Sequence, residues 1–275
     1  MAGIHSMSGQ WGILGYGQMA QSMARPWLES GFLQPEQIAA CVRDHGRAAA
    51  LRRRDRVAVG VDLRPVLMAD HVVLACKPQQ LETVLETRAA LDPPAQEGQG
   101  LVISILAGVS LGRLQAAFPR RPCVRAVPNI ACRIRTGLTG LAMAGNLSLE
   151  QRQLVIALFA VLGQVEYVSE AQMDGFLALA ASGPAMVAVM MEALADGGVA
   201  AGLSRAQANS IAQAMVAGSA ALLQKEQLPP SALKDAVCSP GGTSIAAVAE
   251  LERRGFRAAL MDAVLAAQRR SRELG

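Results

Sequence analysis

Near its start the chain reads WGILGYGQMAQSMA, an apolar run from Trp11 to Leu14 that passes through Gly15, Gly17 and Ala20 into a helix-forming segment. In that spacing the first glycine permits a tight turn, the second lets backbone approach a pyrophosphate, and the small third residue lets helix pack on strand. The first turn of the helix then offers unpaired N–H groups to phosphates. A chain that begins this way is directed towards parallel strands joined by helical crossovers, with a dinucleotide at the first turn.

Further short apolar runs that suit buried strands recur at Ile38–Val42, His71–Cys76, Leu101–Leu106, Cys123–Ala126 and Val165–Val168. Between them, Met19–Glu29 and Leu81–Ala90 suit helices. Strands alternating with helices predict a parallel, doubly wound α/β sheet. After the second strand of such a sheet, an acidic residue would bind a ribose 2′-hydroxyl and a basic one would favour a 2′-phosphate. Here Arg43 can clamp a phosphate and lie flat on adenine, which favours NADP(H), while Asp44 keeps NAD(H) open. The run Arg52, Arg53, Arg54, Asp55, Arg56 lies too far along to bind cofactor and reads as a solvated helix end.

From Glu170 onward the pattern is helical only. Ala206–Gln224 is rich in alanine with little β-branching, and Pro229 and Pro230 break the pattern just beyond it. Such helices expose too much apolar surface to stand alone, which predicts packing against a second copy of the chain. The longest nearly apolar run, Gly175–Met191, is interrupted by Ser182, Gly183 and Pro184 and is marginal in length for a bilayer, so it reads as an interface helix. Residues 1–10 are small and polar and read as a leader, with no secretory signal.

The chain has 275 residues, 52% of them hydrophobic and only 3% aromatic, so Ala, Leu, Val and Met must fill a sizeable core. A net charge of +4, with basic residues in excess only before residue 165, does not suggest a nucleic-acid partner. Cys41, Cys76, Cys123, Cys132 and Cys238 are odd in number and form no C-x-x-C pair, which predicts reduced, buried thiols in the cytoplasm.

The distribution of histidine and lysine limits the chemistry. All three histidines (His5, His45, His71) fall in the first quarter, and no lysine lies between Lys77 and Lys225. Neither residue is then placed to act as a general acid in the helical part. A cyclic iminium ion already carries its proton and accepts hydride directly, leaving the protein mainly with positioning. An anion site for an acidic substrate is suggested by CSPGGTSIAAVAEL. There Ser239–Gly242 form a turn, Thr243 and Ser244 bring hydroxyls, and a helix follows from Ile245. A plain helix-capping turn would read the same way.

Taken together, ILGYGQMA, ADHVVLACKPQ (69–79), SILAGVSL (104–111), VRAVPNIA (124–131), SGPAMV (182–187), EALADGGVAAGL (192–203) and SPGGTS (239–244) resemble the pyrroline-5-carboxylate reductase family over about residues 10–275. The resemblance implies an α/β Rossmann N-terminal domain at 11–168, followed by an all-α C-terminal dimerisation and substrate domain at 169–275. It implies NAD(P)H-dependent reduction of 1-pyrroline-5-carboxylate to L-proline, in a homodimer that can associate into a larger ring of dimers. Carried over by position, Gly15, Gly17, Gln18 and Met19 would cradle pyrophosphate and Arg43 would meet the adenosine end. Ala75, Cys76, Lys77 and Pro78 would line the dinucleotide, with Ala107 near the nicotinamide. Glu170, Gly242, Thr243 and Ser244 would contact the imino acid, with Thr243 and Ser244 as catalytic residues and Ser244 bonding the ring nitrogen. Arg125 would be an ion-pair partner and Asn129 would hold a loop.

The chain departs from the family pattern where hydroxyls are replaced at Leu177, Ala180 and Ile130. A more apolar cleft discriminates differently, so a paralogue acting on a related cyclic imine stays open as an alternative. So do a non-catalytic dinucleotide-binding protein and, further off, an alcohol dehydrogenase.

Overall fold

The glycine-rich turn leaves the end of β1 (Trp11–Leu14) and enters α1 (Gln18–Glu29). The computed structural model describes residues 9–90 and 100–274, so most of the expected leader at 1–10 lies outside the described residues. Its last residue is held: the Gln10 N–H donates to Asp70 Oδ2 at 2.7 Å, and the Gln10 carbonyl accepts the N–H of His71 at 3.0 Å.

The chain continues through β2 (Ile38–Cys41), α2 (His45–Asp55), β3 (Ala58–Gly60), α3 (Arg64–Leu67), β4 (His71–Leu74) and α4 (Leu81–Ala89). Then come β5 (Val102–Ser104), α5 (Leu111–Ala117), β6 (Cys123–Pro128), β7 (Gly137–Met143), α6 (Leu149–Ala160), β8 (Gly163–Tyr167) and α7 (Met173–Phe176). The strands form one sheet in the order β3-β2-β1-β4-β5-β6-β7-β8. It is parallel except for the pair β6–β7. Leu14 is in register with Cys41 on one side and Leu74 on the other, and Leu74 with Ser104. The loops after β1, β2, β4 and β5 therefore leave at the same edge. Strand order reverses between β1 and β4, which is where open α/β sheets bind ligands.

Side chains alternate across the sheet, and each face has its own core. Trp11 and Ile13 pack with Met23, Trp27 and Phe159 on one face, while Leu14, Leu74, Leu81 and Phe118 fill the other. Trp27 is fully buried, and its indole N–H donates to the Leu158 carbonyl at 2.7 Å. Trp11 stacks on His71 at 4.4 Å between ring centroids, and His71 Nδ1 accepts the Leu101 N–H at 3.1 Å. That histidine is thus a structural one, and burial holds its pKa below the ordinary value.

Two strands, β3 and β7, were not read from the sequence. Short β3 lies at the sheet edge, and β7 opens on Gly137 and is interrupted by Gly140. A Cβ at Gly140 would come within 2.7 Å of the Phe176 ring, so packing against α7 keeps that position free of a side chain. The basic run at 52–56 is also more than a solvated helix end. The Arg52 guanidinium donates to the Val59 carbonyl at 2.6 Å, and Arg54 pairs with Asp55, whose side chain is 4% exposed. The cysteines are all free, but Cys76 and Cys238 are only half-buried, because each sits where an element gives way to a loop.

The chain divides into two compact units, one up to Ala181 together with the stretch from Ala267 on, the other Ser182–Ala266. The second unit contains α8 (Gly183–Ala200), α9 (Arg205–Glu226), α10 (Pro230–Val237), α11 (Thr243–Arg253) and the first turns of α12 (Phe256–Glu273). Within it α8 and α9 meet through Ala195, Ala208 and Ala212, with Val199 beside them. Val189, Ile211, Met215 and Met261 are exposed, so this unit carries an apolar surface that it does not bury by itself.

Candidate active site

Because β1, β2 and β4 end together, their loops converge on one cleft of about 610 Å³. Gly15, Gly17, Gln18, Met19, Arg43, Ala75, Cys76 and Lys77 all line it. Pro78 opens the 3-10 turn Pro78–Gln80 just beyond Lys77. Ala107 is in the loop between β5 and α5 and is not part of the cleft lining.

Gly15 has φ +91°, and a Cβ there would lie 2.6 Å from the backbone of Cys76. Any larger residue would thus close the gap between the two loops and strain the turn. A Cβ at Gly17 would meet nothing within 4 Å, Gly17 caps α1 with no side chain, and the first turn of α1 carries no acidic residue. The positive end of the helix is left for an anion, which fits the pyrophosphate of a dinucleotide. Between those glycines, Tyr16 is wholly buried; burial and the Asp55 charge push its phenol well above the ordinary range. Asp55 itself is held below the ordinary carboxylate value: burial works to raise it, but the hydrogen bond and charge of Arg54, with Arg25, outweigh that.

The structure adds Arg47, Gln80 and Thr83 to the lining. Arg47 is in the first turn of α2, four residues after Arg43, and its backbone N–H donates to Asp44 Oδ1 at 2.7 Å. Asp44 is thus the N-cap of α2.

In the same unit, Glu170 stands on the 3-10 turn Glu170–Gln172. Its Oε1 accepts the Leu111 N–H and an Arg125 guanidinium N–H, both at 2.9 Å. Asn129 holds a loop: its side chain accepts from Ala131 N at 3.2 Å and Leu138 N at 3.3 Å, and donates to the Ala180 carbonyl at 3.2 Å. Of the three lost hydroxyls, Leu177 now packs against the small core of Val127, Ala142 and Met173, while Ile130 is 46% exposed.

In the second unit, Gly241 at φ +70° turns the chain into α11, which starts at Thr243 instead of Ile245. Gly242 N–H donates to the Ser239 carbonyl at 3.0 Å, and Ala246 N–H to Gly242 at 3.3 Å. No side chain caps the helix, so its first turn, carrying the hydroxyls of Thr243 and Ser244, is open to a carboxylate.

Residues 10–108 match the family model described as NADP oxidoreductase coenzyme F420-dependent, and residues 170–274 match that described as pyrroline-5-carboxylate reductase dimerisation. The chain is 42% identical to a pyrroline-5-carboxylate reductase of Synechocystis sp., covering 98% of this chain and 99% of the relative. It is 37% identical to one of Arabidopsis thaliana, over 96% of this chain and 94% of the relative. A crystal structure of the Plasmodium falciparum pyrroline carboxylate reductase with NADP bound superposes with a TM-score of 0.86 at 25% identity, covering 98% of both chains. With both halves matched and relatives aligned from end to end, the chain belongs to the pyrroline-5-carboxylate reductase family.

Proposed function

We infer that this protein reduces 1-pyrroline-5-carboxylate to L-proline with NADPH, as a homodimer. The observation that carries the reading is the uncapped first turn of α11, bearing two hydroxyls, in a chain whose other unit holds a dinucleotide cleft. NADPH supplies the hydride when bound. Gln18 and Met19 would hold its pyrophosphate with backbone N–H groups, with Gly15 and Gly17 letting the backbone approach it, and Ala75, Cys76, Lys77 and Pro78 would line its path towards Ala107. Arg43, with Arg47, meets the 2′-phosphate, since the Asp44 carboxylate is engaged in capping α2.

The N–H groups of Thr243 and Ser244, beside the Gly242 turn, hold the substrate carboxylate, and the Ser244 hydroxyl, assisted by Thr243, bonds the ring nitrogen. The imine nitrogen enters protonated, so the imine carbon can take hydride while the nitrogen keeps its proton and gains the electron pair of the double bond. The chain's residues need only orient the ring and exclude water. The exchange at Leu177 goes into packing, so the five-membered imine remains the substrate we favour.

The stretch Glu170–Ala200 is apolar enough to cross a membrane by length and composition, with an 18-residue window of mean hydropathy 1.7. We assign its exposed face to the contact between copies, in a cytoplasmic enzyme whose dimers can join in rings without membrane or nucleic acid. The test is NADPH oxidation with pyrroline-5-carboxylate, beside the six-membered analogue, for wild type and a Thr243→Ala, Ser244→Ala double variant. Turnover on the five-membered substrate, lost by at least about 100-fold in the double variant, is expected. Full retention in the variant would remove the site assignment, and wild-type activity on the analogue alone would remove the substrate.

A further inference from the structure

Arg125 lies in the fully buried strand β6 and is only 4% exposed. Taking a guanidinium out of water costs several kcal/mol, and an apolar residue would fill such a site at less cost. What the charge provides is a set of fixed directions. One guanidinium nitrogen donates to Glu170 Oε1 at 2.9 Å and the other to Asp174 Oδ1 at 3.3 Å. Asp174 Oδ1 also accepts the hydroxyl of Ser271, 2.9 Å away on the last turns of α12, and Ser271 is itself buried.

The other end of this chain of contacts is a loop. Glu170 Oε1 accepts the N–H of Leu111, the first residue of α5, while Ser110 Oγ accepts the Arg113 N–H at 3.2 Å. Two N–H groups in the first turn of α5 are thus tied down by side chains, one of them from a turn 59 residues away. The preceding loop is pinned at Leu106 and Val109, which are buried, and turns at Gly108 with φ +74°. Only Ala107 and Gly108, between those pins, are half-exposed at the sheet edge where the cofactor cleft opens. Gly108, Ser110, Arg125 and Glu170 border a cavity of about 340 Å³. There Arg125 Nε and Glu170 Oε2 are buried without a hydrogen-bond partner. Leaving such atoms unpaired is costly, and the arrangement is kept in spite of that.

We propose that Arg125 is a positioning residue for hydride transfer, orienting Glu170 so that its carboxylate fixes the Ala107–Ser110 loop against the nicotinamide. The proposal rests on the reading above that Ala107 lies near that ring. It assigns Glu170 to the loop instead of to the imino acid. Small displacements of a reacting group cost far more in rate than in binding, so the signature is kinetic.

Arg125→Ala would strip Glu170 of its guanidinium partner, leave Asp174 with Arg272 at 3.9 Å, and endanger folding, so the informative variants are Glu170→Ala and Glu170→Gln, the latter keeping an acceptor for the Leu111 N–H. For Glu170→Ala we expect kcat to fall about 10- to 100-fold and the isotope effect with NADPH deuterated at C4 of the nicotinamide to rise. The NADPH Kd, read by cofactor fluorescence, and the KM for pyrroline-5-carboxylate should stay within about twofold. Glu170→Gln should recover most of kcat. An unchanged kcat and isotope effect would overturn the proposal, as would a KM for the imino acid raised about tenfold with kcat retained, which marks direct substrate contact. Wild-type protein silent with the five-membered imine would instead remove the functional reading, and this proposal with it, before any variant is compared.

Discussion

Asp44 Oδ1 accepts the backbone N–H of Arg47 at 2.7 Å, so the carboxylate that follows β2 caps a helix. In the proposed reading the arginines on either side, both in the cleft lining, set cofactor preference. Arg43→Ala and Arg47→Ala should each raise the KM for NADPH about 10-fold or more, with NADH little affected, since a hydrogen bond to a charged group is worth about 1.5–3 kcal/mol. Asp44→Ala should leave the NADPH-to-NADH ratio alone and cost about 1 kcal/mol of stability, seen as a drop of a few degrees in Tm.

Burial raises the thiols of Cys76, Cys123 and Cys132 from 9.0 to about 11. A raised thiol favours the folded state fully below its unfolded value. As pH climbs from 9.0 to about 11, the unfolded chain ionises first and that contribution is lost. Thermal melts should show stability falling over this window. A Cys123→Ala variant, less stable at neutral pH, should show a shallower alkaline decline.

At the acid end the group to watch is Asp55. Its folded value is depressed, so its stabilisation is present above the ordinary carboxylate value and disappears as pH falls through the folded one. Asp55→Ala should cost about 1–2 kcal/mol, less than for a fully buried pair, because the partner guanidiniums of Arg54 and Arg25 are 45% and 34% exposed. Denaturant melts at neutral pH and near pH 3 would check it: the variant should lie below wild type at neutral pH, with the gap narrowing in acid.

Val189 is 66% exposed and Met261 65% exposed, both on helices of the second unit. If these side chains are covered by a second copy, Val189→Asp together with Met261→Asp should weaken dimerisation on the order of 100-fold or more. Sedimentation over a range of protein concentrations would then show monomer for the variant where wild type remains dimeric.

Most of the sheet was legible because its strands are continuous apolar runs, as strands buried on both faces must be: β1, β2, β4, β5 and β6 were all found, with ends shifted by one or two residues. β7 was not, because Gly137 and Gly140, where a Cβ would meet Cys132 and Phe176, shorten its apolar run and Thr139 is its one β-branched residue. The cofactor glycines could be read from spacing alone, since a tight turn and a close backbone approach demand that residue type. Arg47, Gln80 and Thr83 could not. Their place in the cleft depends on how α2 and the segment after β4 are brought together by the sheet, which no local pattern records. Asp55 was misread for the same reason: a charge run looks alike whether its carboxylate is in water or 4% exposed beneath a tyrosine.

The polypeptide passes out of the first unit after Ala181 and comes back into it at Ala267, within the single helix α12. In genetic terms the second unit is an insertion with two junctions. Exchanging it between relatives requires both splice points to be matched, and the downstream one falls inside a helix, where phase matters: one residue gained or lost there would rotate Ser271 about 100° away from Asp174.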